Sequence, residues 1–276
     1  MPYLQLENGR KLYYEEEGAG RPVVFIHGWK ASADVYAEPS RLLTQAGHYR
    51  CIRYDHCGHK RSDAPDSPAT LQTLAQDLHS LITALQLEKP ILVGWSMGGM
   101  TVQEYIRHYG SCHLDRVVFV DIGPRSLGGD DWPLGKNGGT YSLADAQAEY
   151  ALAKADFKEF LHRYYLRSQR GYAERSAEDQ RQIVEQRTRD YDLRVMADLW
   201  YAFNLRDHRD VLPKITCPAA VFHAEILPAC SPAVAAYYDQ HIAAPHRVVC
   251  FTGCSHALIT EDPQRFTGEL LDFFNS

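Results

Sequence analysis

The chain has 276 residues, 45% of them hydrophobic, and a formal net charge of -6, which is enough apolar sequence for one domain carrying an insertion. The negative balance supplies no basic footprint for nucleic acid, and no apolar run is long enough to span a bilayer. Seven unpatterned cysteines and a start, Met1 to Glu7, with neither basic n-region nor apolar h-region predict a cytoplasmic protein with reduced thiols.

Taken in chain order, Tyr3 to Leu6 and Lys11 to Glu16 alternate apolar and polar residues around Asn8-Gly9, a hairpin signal. Pro22 to Ile26 is a continuous apolar run, as expected of a strand buried on both faces, and it ends at His27-Gly28-Trp29. Tyr49 to Tyr54 reads as the next strand and closes at Asp55-His56-Cys57-Gly58-His59. Leu71, Leu74, Leu78, Leu81, Ile82 and Leu85 share one helical face. The strand Pro90 to Val93 then runs into Gly94-Trp95-Ser96-Met97-Gly98, followed by a helix over Thr101 to His108 and a strand from Arg116 to Val120. Buried strands alternating with amphipathic helices predict a mostly parallel α/β sheet covered on both faces.

That alternation stops between about Pro124 and Arg209. A glycine-rich loop (Gly128, Gly129, Gly135, Gly138 and Gly139) precedes charge-rich helical sequence with interspersed aromatics, among them Phe157, Phe160, Tyr164 and Trp200. The segment reads as a helical cap, 125–209, inserted in a core made of 1–124 and 210–276. The sheet resumes at Ala219 to His223 and Arg247 to Phe251, and Pro263 to Phe274 is an amphipathic C-terminal helix. Cys250, Cys254 and His256 lie close in sequence, but strand alternation and a turn account for them, so no metal site is predicted.

The pentapeptide Gly94-Trp95-Ser96-Met97-Gly98 has the G-x-S-x-G form of a nucleophile elbow, a tight strand-to-helix turn that thrusts a serine hydroxyl above the sheet edge. Together with His27-Gly28-Trp29, Asp55 to Ser62, and Gly253-Cys254-Ser255-His256 before the last helix, it makes the chain resemble the α/β-hydrolase superfamily over essentially its full length. The resemblance implies the α/β-hydrolase fold, with a helical cap. The Asp55 segment departs from the usual D-x-R-G-x-G-x-S in having Cys57 for the arginine and Lys60 for a glycine.

A serine hydroxyl needs an adjacent base, and that imidazole needs a carboxylate to orient it. Of 13 histidines, His256 has the position for the base. The expected chain order is serine, acid, histidine. Relatives mostly take the acid from the loop after the post-cap strand, where this chain has His223-Ala224-Glu225-Ile226-Leu227-Pro228 and Leu227 occupies the aspartate's place. Asp121, at the end of the strand after the elbow helix, is the chosen acid, as in certain lactonases and cofactor-free dioxygenases; Glu225 is the alternative. The bland reading of Asp121 is a turn residue in Asp121-Ile122-Gly123-Pro124. The resemblance further implies an oxyanion hole made of the Trp29 and Met97 N–H groups, with the Trp29 and Trp95 rings near the substrate.

The leading reading is thus a serine hydrolase, needing no cofactor, for an ester, lactone or thioester with a hydrophobic or ring-bearing substrate. A second is a cofactor-free dioxygenase, in which His256 and Asp121 deprotonate a hydroxylated N-heteroaromatic ring. Gly28-Trp29 and Asp121 suit that enzyme, whereas Trp95 and Met97 stand where it carries histidines. A perhydrolase is a related option, although its acid normally follows the later strand. A binding protein that has lost catalysis is favoured only by Leu227 and opposed by Ser96, His256 and Asp121. The partner expected is a small molecule; oligomeric state is not encoded in any visible pattern.

Overall fold

The strands of the computed structural model, which describes residues 3–169 and 171–276, are β1 (Tyr3–Gln5), β2 (Lys11–Gly18), β3 (Arg21–Ile26), β4 (Tyr49–Tyr54), β5 (Ile91–Trp95), β6 (Arg116–Val120), β7 (Ala219–Ala224) and β8 (His246–Phe251). They form one sheet in the order β1-β2-β4-β3-β5-β6-β7-β8. β1 and β2 pair antiparallel, as do β2 and β4, and every later pairing is parallel. The first hairpin turns where Asn8-Gly9 signals it, Gly9 taking a left-handed φ of 84°.

Period-two alternation sorts the side chains of the central strands onto two faces, both buried. Val24, Ile26, Leu92 and Phe119 pack with helices α2 (Leu71–Ala84) and α3 (Met97–Tyr109) through Leu78, Leu81, Val102 and Tyr105. Val23, Phe25, Val93 and Val120 pack on the other face, where helix α1 (Ala37–Ala46) contributes Leu43 and the C-terminal helix contributes Phe266 and Leu270. Thr70 caps α2 in a reciprocal box with Thr73.

Between β6 and β7 the described residues hold helices only. They are the short turn α4 (Lys136–Gly139), α5 (Leu143–Ala155), α6 (Phe157–Ser168), α7 (Ala177–Thr188), α8 (Leu193–Leu205) and a 3-10 turn over Leu212–Lys214. Phe157, Phe160, Leu161, Trp200 and Phe203 of this layer form one apolar cluster with Met97, Met100 and Ile122 of the core. The α7–α8 junction docks on the loops after β3 and β4: the Tyr191 hydroxyl donates to the Lys30 carbonyl at 3.0 Å and the Lys60 N–H to the Asp190 carbonyl at 2.8 Å. Helices α9 (Pro232–His241), α10 (Leu258–Glu261) and α11 (Pro263–Phe274) complete the chain. No helix among the described residues is long and apolar enough to cross a membrane.

One boundary differs from its expectation. The elbow helix begins at Met97, four residues before Thr101, because the serine turn passes into α3 without a linker.

Candidate active site

Ser96, Asp121 and His256 all leave the C-terminal edge of the parallel strands, where open α/β sheets place their ligands. Ser96 follows β5 directly, and its N–H extends the ladder by donating to the Val120 carbonyl at 2.9 Å. Its backbone sits at φ 54°, ψ -124° and its side chain makes no capping bond to α3. A non-glycine residue held at positive φ is strained, and that strain persists only where the surroundings over-determine it. Those surroundings are the elbow glycines. A Cβ on Gly98 would lie 2.1 Å from the Ile26 oxygen, and one on Gly94 would lie 2.5 Å from the Gly98 oxygen. The β3 end is equally close, for a Cβ on Gly28 would be 3.0 Å from that of Ser96.

Asp121 is fully buried at φ 45°, one residue beyond β6. Its side chain does not serve the turn in which it stands. Oδ1 accepts the N–H groups of Ala224 and Cys230 at 3.2 Å each; Oδ2 accepts the Ala229 N–H at 2.9 Å and His256 Nδ1 at 2.6 Å. His256 reaches it by crossing over the end of β7, in a loop tied down by the Ile226 N–H on the Cys254 carbonyl at 2.9 Å. Burial pushes the Asp121 carboxyl up, but the His256 bond and charge and the Ala229 and Ala224 N–H groups outweigh it and hold it below the ordinary value. Asp121 thus adds stability that is fully present above the usual aspartate pKa and lost as pH falls through its lower native value. Asp121→Asn should accordingly flatten the acid limb of a stability curve, read by urea unfolding from roughly pH 7 to pH 3.

The alternative acid lies elsewhere. Glu225 Oε2 accepts the Gly253 N–H at 2.8 Å, and Leu227, in the usual acid's place, is 60% exposed at φ 47°.

Met97 opens α3, so its N–H has no intrahelical acceptor and points out at the positive end of the helix dipole. The turn that carries Trp29 is gripped by three buried imidazoles. His27 Nε2 accepts the His56 N–H at 2.9 Å, which places the proton on Nδ1, donating to the Gly28 carbonyl at 2.7 Å. On the other side of Trp29, the Lys30 N–H donates to His59 Nε2 at 3.3 Å. Burial lowers all three rings, His27 to about 4, so they stay neutral. The sequence assigns these histidines no role of their own; their place at the ends of the neighbouring strands β3 and β4 is the signal that points to one.

Both predicted substrate-side tryptophans are engaged with the protein. Trp29 Nε1 donates to the Met196 carbonyl at 2.9 Å and its ring packs 4.8 Å from that of Trp200. Trp95 Nε1 donates to the His256 carbonyl at 2.9 Å, with its ring 5.2 Å from the imidazole, so it steadies the histidine loop.

A family model described as "Alpha/beta hydrolase family" matches residues 23–269. A putative non-heme chloroperoxidase of Synechocystis is 32% identical over 235 residues, 82% of each chain. Among solved structures, an esterase from Exiguobacterium antarcticum superposes with a TM-score of 0.83 at 26% identity over 99% of both chains. A bromoperoxidase from Bacillus anthracis gives 0.81 at 28% identity over 97% of this chain and 96% of that one.

Proposed function

We propose the reaction from one premise: this chain belongs to the alpha/beta hydrolase family, and within it we assign the chain as a serine hydrolase of esters, lactones or thioesters. We take 1–124 and 210–276 as the catalytic core and 125–209 as its cap.

The Ser96 hydroxyl attacks the carbonyl carbon while His256 Nε2 removes its proton. The oxygen that becomes negative is met by the Trp29 and Met97 N–H groups, fixed dipoles that need no reorganisation at that moment. Collapse of the tetrahedral intermediate expels the alcohol or thiol, protonated by His256. Water then loses a proton to His256 and attacks the acyl-serine, releasing the acid and restoring the hydroxyl. Asp121 keeps the imidazole in the tautomer with Nδ1 protonated and balances the imidazolium. We assign the Trp29 and Trp95 rings to the walls of the acyl site.

One observation carries this reading. The 2.6 Å contact from His256 Nδ1 falls on a carboxylate whose other acceptor sites are filled by backbone amides, so Nε2 is left bare to accept a proton. A fluorophosphonate probe is expected to modify Ser96, located by peptide mass spectrometry, and to leave Ser96→Ala unmodified. A folded wild-type protein that takes up no probe would overturn the assignment.

The relatives named chloroperoxidase and bromoperoxidase favour a second outcome on the same residues. Hydrogen peroxide in place of water would attack the acyl-serine and leave as a peracid, which oxidises halide. Bromination that requires a carboxylic acid co-substrate and disappears in Ser96→Ala would establish it.

A further inference from the structure

Gly28, Trp29, Lys30 and Ala31 form a β-turn closed by the Ala31 N–H on the Gly28 carbonyl at 3.2 Å. Lys30 takes its third position at φ 54°, where a turn with positive φ favours glycine or asparagine. A lysine there is strained, and such strain lasts only where the surroundings hold it. The bonds made by Lys30 show what those surroundings are.

All three of its polar groups are taken. The N–H donates to His59 Nε2 at 3.3 Å, and the other nitrogen of that ring, Nδ1, is committed to the Cys57 carbonyl at 3.0 Å. The carbonyl accepts the Tyr191 hydroxyl at 3.0 Å. The side-chain amine donates to the Arg187 carbonyl, in the last turn of α7, where main-chain carbonyls have no partner within the helix. Lys30 is only 8% exposed, and its amine stands 4.7 Å from the centre of the Tyr191 ring and 5.9 Å from that of Phe157. Burial, with Arg187 adding to it, lowers the amine to about 7. A neutral amine keeps two N–H donors, so the tether does not depend on the charge.

Two of those three partners belong to the cap, since Arg187 ends α7 and Tyr191 lies between α7 and α8. The third is joined to the same junction. The Asp192 N–H donates to the Gly58 carbonyl at 3.0 Å and the Lys60 N–H to the Asp190 carbonyl at 2.8 Å, so His59 and Tyr191 face each other across an antiparallel bridge. The Trp29 N–H, one residue before Lys30, has no acceptor among the described residues.

We infer that Lys30 is a positioning residue, which carries the seating of the cap to the oxyanion turn and so sets the direction of the Trp29 N–H. The inference rests on the serine hydrolase reading, which makes that N–H an oxyanion donor. Hydrogen bonds weaken steeply as their angle closes, so a turn freed from its tether would lose the donor without losing the fold.

The test is the rate at which a fluorophosphonate modifies Ser96. With the probe in excess, the amplitude counts competent molecules and the rate constant reports the geometry of each one. Lys30→Met is expected to slow the rate constant roughly tenfold or more, a part of what loss of an oxyanion donor costs. Tyr191→Phe, which removes only the bond to the Lys30 carbonyl, should slow it roughly threefold. Lys30→Gly suits the backbone of the turn yet has no tether, so it should be as slow as Lys30→Met. In all three the pH midpoint of labelling should stay where the wild type has it, because the imidazole and its acid are untouched. A Lys30→Gly variant that labels at the wild-type rate would overturn the proposal. So would a shifted midpoint, which would trace the loss to His256. If Lys30→Met does not fold, Lys30→Gly and Tyr191→Phe carry the test. Variants as fast as a reactive wild type would sink the role of Lys30 and leave Ser96 as the nucleophile, whereas a wild type that takes up no probe would sink the serine hydrolase reading and this inference with it.

Discussion

Asp121→Asn is expected to keep the fold and lower kcat/KM by roughly 10³- to 10⁴-fold on any ester the wild type turns over. Four donors converge on this carboxylate, two at each oxygen. An asparagine offers one oxygen and one NH₂. If the oxygen stays with Ala224 and Cys230, the NH₂ faces His256 Nδ1 and the Ala229 N–H. The imidazole then avoids a donor–donor clash by moving its proton to Nε2, where it can no longer accept one from Ser96. If the amide flips, two main-chain donors are left facing the NH₂, a cost of about 1–3 kcal/mol for each. The first arrangement is the cheaper, and it is inactive. Glu225→Gln is the control and should stay within about threefold of wild type, since that carboxylate holds the Gly253 N–H. A large loss in Glu225→Gln with little in Asp121→Asn would reverse the assignment of the acid.

Gly98→Ala should be the most damaging single methyl in the serine turn. The added carbon would stand 2.1 Å from the Ile26 oxygen and 2.7 Å from the His27 oxygen, both of them main chain, so no side chain can swing away. Relief requires α3 to withdraw from β3, and that opens the gap between Met97 and the oxyanion turn. Overpacking typically costs 1–3 kcal/mol and sometimes more; here about 3 kcal/mol is expected, a fall in Tm of roughly 6–12 °C for a chain of this size. Residual folded enzyme should show a reduced kcat, because the two N–H groups no longer face a common point. A melting point within a degree or two of wild type would mean that the strand-to-helix contact is looser than described.

The sheet was legible because its strands are continuous apolar runs bounded by turn residues. Tyr49–Tyr54 and Arg116–Val120 fall where the sequence places them. The elbow was legible because one short pattern combines a sterically forced pair of glycines with a serine. The helical layer was harder to read. α5 and α7 each bury only two residues, so their hydrophobic periodicity is faint, and their contacts are made with segments distant in sequence. The proposed acid lay between. The chain offers Asp121 and Glu225, and what favours Asp121 is visible only in three dimensions: the His256 Nδ1 contact and the amides of the loop after β7 that turn toward it.

Three of the four groups that hold Asp121 are peptide N–H groups of Ala224, Ala229 and Cys230. Peptide groups are common to every residue but proline, so the grip on the acid depends on where the loop runs and hardly at all on what it displays. The side chains from Glu225 to Leu227 are therefore released from a duty that an acid placed in this loop would impose. Leu227, an exposed leucine in a left-handed conformation, is what a released position can come to hold. In evolutionary terms the division leaves the proposed serine and acid on two adjacent strands, β5 and β6, and makes the loop after β7 a place where new side chains can be tried without removing the donors that hold Asp121.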